Sequence, residues 1–214
     1  MGLTSTAKRG IERVPALARL ARRTRNRWSR YGFADAYLRG LHGIEIGGSA
    51  HNPFRLNTIN VDRDDAMDSV YKREEIAMVG RALPVDVVAN GTQLPFEDKS
   101  WDFVLASHVI EHFFDPIGAL LEWQRVARRF IFLVVPHPDR TFDRGRPPTS
   151  LDELQERHRM ALAGEGEEEL GHRHFSRWTC ENFVAMCDAI GLGVVATEDP
   201  DRKRGNGFAV VIET

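Results

Sequence analysis

Cysteine is scarce: only Cys180 and Cys187 occur among 214 residues. Seven positions apart on a stretch that reads as helix, they are a poor start for a disulfide framework or a zinc site and are expected to be core thiols. Long apolar runs are absent too. No stretch nears the ~20 residues a membrane-spanning helix needs, and no secretory h-region precedes a small-residue cleavage site, so the expectation is a cytoplasmic protein without a transmembrane segment. Net charge is close to zero, with 29 Lys and Arg against 31 Asp and Glu. No module that reads RNA or DNA and no internal repeat is visible. What remains is enough for a sizeable core: 42% of residues are apolar and 28% charged. The length fits one domain, since such domains cluster at ~100 to 200 residues.

The near-zero net charge hides an asymmetry. Residues 1–30 carry nine Lys or Arg against one acid, Glu12. The sequence therefore divides into a basic N-terminal helical segment, 1–40, and a domain spanning 41–214. The basic segment suits peripheral contact with anionic lipid, RNA or a phosphorylated substrate, and equally suits a solvated, loosely attached helix.

From residue 41 onward short apolar runs alternate with helical patterns, which predicts an α/β fold with a doubly wound, mostly parallel sheet. Seven strands are expected, at Gly43 to Gly47, Thr58 to Asp62, Val85 to Ala89, Phe103 to Ser107, Phe130 to Val135, Gly193 to Thr197 and Phe208 to Ile212. Helices are expected at Asp65 to Val79, Asp115 to Ala127 and Cys180 to Ile190, with Thr179 capping the last and Gly191 ending it. Only Ser49 to Asn57 separate the first two strands, and Asn52-Pro53 disfavours a long helix there. Residues 136–177 form an insertion far longer than the ~2 to 6 residues usual for such loops. It contains a helical LDELQERHRMAL and an acidic Gly-rich stretch at Gly164 to Glu169, and is expected to act as an acceptor-side lid.

In an open α/β sheet, ligands lie beyond the carboxyl ends of the strands, near the point where strand order reverses. The first strand ends in Glu45-Ile46-Gly47-Gly48-Ser49, where missing side chains let a ligand approach the backbone. The second ends in Asp62, an acid of the kind that accepts hydrogen bonds from a ribose diol. Each signal alone is weak, because Gly-Gly also makes plain turns and Asp also caps helices.

A longer pattern follows: Asn90-Gly91-Thr92-Gln93-Leu94-Pro95-Phe96, then Ser100-Trp101-Asp102-Phe103-Val104, then Ser107-His108-Val109-Ile110-Glu111-His112. With Glu45 to Ser49 and Asp62, it resembles the class I S-adenosylmethionine-dependent methyltransferases over roughly residues 41 to 135. The two last strands fit that family's terminal hairpin. The resemblance implies a Rossmann-like sheet and S-adenosylmethionine as cofactor. Gly47, Gly48 and Ser49 would lie beside its amino-acid part, with Glu45 organising that loop. Asp62 would hold the ribose hydroxyls, Asn90 would meet the adenine amine with Gly91 leaving room for the ring, and Ser107 and His108 would line the wall near the sulfonium. The sequence departs from the pattern in Gly-Gly-Ser for Gly-x-Gly, in the short Ser49 to Asn57 connection, in Trp101 for Phe and in Asn90 for Asp.

Methyl transfer from a sulfonium mainly requires alignment, whereas a hydroxyl acceptor also needs a base or a cation, with Mg²⁺ a candidate. His137, directly after the fifth strand, is the preferred base, with Asp139 and His174 as assistants; His174 or Asp139 could also ligate a metal with His158 or His172. The stretches GGSAHNPF, VPHPDRTFD and HRHFSRWT resemble a glycan-modifying subgroup that includes methylmannose polysaccharide O-methyltransferases. A site with Arg, Asp, His, Trp123 and Trp178 would suit a sugar or oligosaccharide, and also a phosphorylated or aromatic acceptor. Transfer to nitrogen or carbon, an RNA substrate, and a non-catalytic cofactor-binding protein are the alternatives.

Overall fold

The computed structural model describes residues 32–48, 54–69, 72, 73, 76, 77, 80, 82–166 and 173–214. Most of the basic N-terminal segment, Ser49 and His172 lie outside the described residues. Seven strands form one sheet: β1 (His42–Ile46), β2 (Asn57–Asp62), β3 (Val87–Val88), β4 (Trp101–Ser107), β5 (Ala127–Pro136), β6 (Gly193–Glu198) and β7 (Gly207–Glu213). Their order is β3-β2-β1-β4-β5-β7-β6. The first five strands pair in parallel, while β7 runs antiparallel to both β5 and β6. Strand order reverses between β1 and β4, and that switch point fixes where a ligand can enter.

The central strands β1, β4, β5 and β7 are largely buried on both faces, as their near-continuous apolar runs require, while the edges β3 and β6 are not. Val104 and Ala106 of β4 face one core with Ile131, Leu133 and Val135 of β5. That core is covered by α2 (Pro116–Val126) and α4 (Cys180–Ala189). Phe103 and Leu105 face a second core with Phe132, Val134 and the helix α1 (Gly32–Leu38). Cys180 and Cys187 are buried free thiols, as expected.

Helix ends follow side-chain chemistry. The Asp115 carboxylate accepts the Gly118 N–H at 2.8 Å, and Pro116 opens α2, so the helix starts one residue after its cap. Ala127, expected to close α2, instead begins β5. Thr179 caps α4 by accepting the Asn182 N–H at 3.3 Å, and Gly191 follows its end at φ 78°.

Two expected elements are shorter than the sequence suggested. Strand β3, at a sheet edge, spans two residues instead of five and pairs with β2 at Val61–Val87 and Asp62–Val88. The helix expected from Asp65 begins later: residues 64–66 are irregular, since the Asp64 carboxylate accepts the Ala66 N–H at 2.8 Å and competes with helix formation. Ser69 then accepts the Lys72 N–H at 3.2 Å, and Lys72, Arg73, Ile76 and Ala77 are helical.

Much of the insertion is built into the body of the protein. Its helix α3 (Leu151–Leu162) is capped by Ser150, buries Leu154 in the first core and ties His158 Nδ1 to Asp115 Oδ2 at 2.8 Å. Gly164 to Gly166 are exposed, and 167–172 lie outside the described residues.

Candidate active site

At the end of β1 the chain turns tightly. Gly47 adopts φ 61°, where a side chain is strained, and a Cβ there would meet Val109 Cγ2 at 2.7 Å. A Cβ on Gly48 would fall 2.5 Å from Glu45 Cγ. Glu45 is buried beneath this turn, and burial pushes its carboxyl up to about 7, opposed by the Lys203 charge and a hydrogen bond from Thr58. A bare-backbone cradle over a buried carboxyl fits the amino-acid end of S-adenosylmethionine.

Asp62, at the end of β2, accepts the Arg63 N–H at 2.8 Å. Burial raises its pKa, offset by the Arg63 and Asp64 N–H groups and by Lys72. Asn90 Oδ1 accepts the Thr92 N–H at 3.1 Å, and its exposed NH₂ can donate to a ring nitrogen of a base but cannot accept from the exocyclic amine expected to meet it. Gly91 is buried, but the space beside it is filled: a Cβ would lie 2.6 Å from Phe113 Cζ. The Gly91 carbonyl accepts the Trp123 Nε1–H at 2.8 Å, which ties this loop to α2.

Beyond β4 the chain makes a 3₁₀ turn, Ile110–His112. Ser107 Oγ lies 2.7 Å from Lys203 Nζ, which reaches in from the β6–β7 connection. The Asp201 carboxylate holds that connection by accepting the Arg204 and Gly207 N–H groups. Burial lowers the pKa of Lys203, and Glu45 counters it. His108 sits at φ 56°, an uncommon conformation for a residue with a Cβ, and its Nε2 has no hydrogen-bond partner among the described residues. Burial pushes its pKa down to about 4, with the Lys203 charge acting in the same direction.

Glu111 stands outside the residues that the sequence singles out for catalysis. Only 1% exposed, it has no hydrogen-bond partner for either carboxylate oxygen among the described residues, apart from the approach of its own N–H. Burial pushes its pKa up to about 8. Three imidazoles face its Oε1: His112 Nε2 at 3.8 Å, His108 Nδ1 at 3.9 Å and His174 Nε2 at 4.0 Å. His174 comes from the insertion, and the Glu111 carbonyl pins that segment by accepting the Phe175 and Ser176 N–H groups.

The expected helpers do not all converge. His174 pairs with Asp143, Nδ1 to Oδ2 at 2.5 Å, and not with Asp139. Asp139 is exposed on the turn Pro138–Arg140, where its N–H donates to His137 Nδ1 at 3.2 Å. His137 caps that turn through its Nδ1. His158 is committed to Asp115. Trp123 and Trp178 are each 0% exposed and belong to the core, which corrects their expected place in the site: their large apolar faces are worth more inside. The aromatic face at the site is Phe142, 74% exposed, with its ring 4.5 Å from the His174 ring.

Residues 46–134 match the family model described as a methyltransferase domain. This stretch, under half of the chain, resembles that domain. It carries the carboxyl ends of β1, β2 and β4 and therefore most of the cradle. A solved structure from Thermotoga maritima, titled an S-adenosylmethionine-dependent methyltransferase and "possible histamine N-methyltransferase", is 16% identical, with TM-score 0.53 and coverage of 86% of this chain and 87% of that one. Another, from the complex of the Haloferax volcanii Trm112 methyltransferase activator with a proposed methyltransferase, is 15% identical, with TM-score 0.54 and coverage of 91% and 94%. Both likenesses are of fold: the sheet is that of the Rossmann-like class I methyltransferases. No curated protein matches the chain in sequence. Among the described residues no helix is long and apolar enough to cross a membrane.

Proposed function

We propose that the protein transfers a methyl group from S-adenosylmethionine to a hydroxyl of a small polar acceptor, a sugar or oligosaccharide being the best fit. The methyltransferase-domain match supports the donor. The observation that carries the hydroxyl is Glu111, a buried acid whose oxygens have no side-chain hydrogen bond among the described residues, ringed by imidazoles and coupled through Lys203 to the cradle at Glu45.

The residues that would hold the donor are Gly47 and Gly48 at its amino-acid end, Asp62 at the ribose, the Asn90 amide at the adenine, and Ser107 and His108 along the wall of the methyl-transfer site. When bound, S-adenosylmethionine supplies an electrophilic methyl carbon on a sulfonium. The protein's own work is then to aim the acceptor and make its oxygen a better nucleophile. An alcohol is a weak nucleophile at neutral pH, and basic groups beside it typically contribute 10² to 10⁴ in rate. Glu111, His112 and His174 offer such groups, with Asp143 fixing the His174 ring. Phe142 gives an apolar face against which a sugar ring can rest. The glycan subgroup rests on residue resemblance alone. Transfer to nitrogen or carbon would need none of this cluster, and the buried acid–imidazole arrangement argues against it. An RNA substrate or a purely cofactor-binding role remains an alternative with no geometric support of its own.

The test is a mass-spectrometric search for S-adenosylhomocysteine and a methylated sugar after incubation with an acceptor panel. His174→Ala is expected to keep cofactor affinity and lose roughly 10²-fold or more in turnover. His137→Ala is expected to lose less. Full turnover in His174→Ala, or product only from amine acceptors, would overturn the hydroxyl reading.

A further inference from the structure

Among the described residues, Glu111, His112 and His174 bring one donor atom each within 4.8 Å of one another. The two imidazoles are prepared in the same sense. His112 Nδ1 lies 3.0 Å from the Arg173 carbonyl oxygen, which can only accept, so Nδ1 carries the proton and Nε2 the lone pair. His174 Nδ1 donates to the Asp143 carboxylate at 2.5 Å, leaving its Nε2 lone pair free to face Glu111. A ring whose far nitrogen donates to a carbonyl or carboxylate is the usual support of a metal-ligating histidine. The Nε2 to Oε1 separations of 3.8 and 4.0 Å exceed by a few tenths the edge of about 3.4 Å for a tetrahedral site with bonds of about 2.1 Å. Those two edges need side-chain shifts of a few tenths of an ångström, and the three donor atoms together lie within 4.8 Å, so the site closes on a metal by rotation of the side chains.

We infer that Glu111, His112 and His174 form a site for one divalent first-row transition-metal ion of the zinc, cobalt or iron type. Two imidazoles and a carboxylate suit such ions, whereas Mg²⁺ prefers oxygen ligands and retained water. The carboxylate is the second, independent mark: among the described residues only its own N–H approaches its oxygens, and a buried acid so little satisfied is costly unless something completes it. Lys203 opposes a cation here, while Asp143, held against His174, favours one. Three protein ligands leave a fourth position open, as in catalytic rather than structural sites. Its use for the acceptor oxygen rests on the function proposed above; the metal site itself does not.

The test uses the full chain, stripped with a chelator and titrated with Zn²⁺, with metal content measured by mass spectrometry and Co²⁺ absorption reporting geometry. One zinc per chain is expected, with tetrahedral-type cobalt bands. Glu111→Gln and His174→Ala should weaken zinc binding more than the roughly 10 to 100-fold expected for Asp143→Asn, which removes only a supporting group. His42→Ala, at the opposite end of β1, should bind as the unaltered protein does. If Glu111→Gln does not fold, Asp143→Asn carries the test with all three ligands in place. Failure to take up stoichiometric zinc, unchanged affinity in these variants, or preference for Mg²⁺ would overturn the site. Zinc is read without an acceptor, so a zinc-binding protein that transfers no methyl group supports this site while sinking the proposed function. A methyl-transferring protein that takes up no zinc overturns the site alone.

Discussion

At Asp62 one oxygen already serves the Arg63 N–H, so the carboxylate is held in place before any ligand arrives. Its remaining lone pairs are what a ribose diol would use, and a hydrogen bond to a charged group is worth about 1.5 to 3 kcal/mol. Asp62→Ala should therefore weaken S-adenosylmethionine binding by tenfold to more than a hundredfold while leaving the fold intact. Calorimetric titration measures this, and an unchanged dissociation constant would remove Asp62 from the cofactor site. Other residues drew their roles from surroundings that a sequence does not display. Glu111 reads as part of a helix start, and only burial without partners marks it out. Lys203 lies in KRGNG, a plain loop by composition, yet its side chain bridges Ser107 and the charge of Glu45. His137 stands where the sequence put it, just past β5, but the acid–imidazole cluster assembles around His174.

Among elements, the strands buried on both faces were legible because β4, β5 and β7 are continuous apolar runs, and the caps were legible because Thr179 and Asp115 each have one dominant use. The helix after β2 was misread at its start because Asp64 satisfies the Ala66 N–H locally, a competition that apolar spacing does not register. Trp123 and Trp178 were assigned to the site for their chemistry, and burial decided otherwise. Length and acidity point to a lid in the insertion, and its apolar anchor Leu154 ties α3 to the first core. Leu154→Ala should cost about 2 to 5 kcal/mol, the usual range for emptying a packed leucine site. Chemical denaturation measures that loss. Amides of α3 should exchange slowly and those of Gly164 to Gly166 fast, and equal protection across both would mean the insertion moves, or stays, as one piece.

Across the whole molecule, stability should carry the mark of the carboxyl beneath the Gly47–Gly48 turn. In the unfolded chain Glu45 titrates near its ordinary 4.5, whereas burial in the fold pushes it up to about 7. Between those values the folded state binds more protons than the unfolded one, so stability falls as pH rises through this window. The stabilising contribution is complete below pH 4.5 and lost above 7. A shift of that size corresponds to about 3 kcal/mol at 1.36 kcal/mol per unit. Glu45→Gln keeps the shape and removes the titration. Lys203 and Thr58 face this carboxyl, and because Glu45 also raises the Lys203 pKa, the same comparison in a Lys203→Met background separates the two titrations. Denaturation of the cofactor-free protein at pH 4.5, 6 and 8 should show the variant gaining on the unaltered protein by roughly that amount, with nearly all of the gain made by pH 7. Parallel curves across the three pH values would mean that Glu45 ionises normally and that Lys203, or water admitted to the turn, fully compensates its burial.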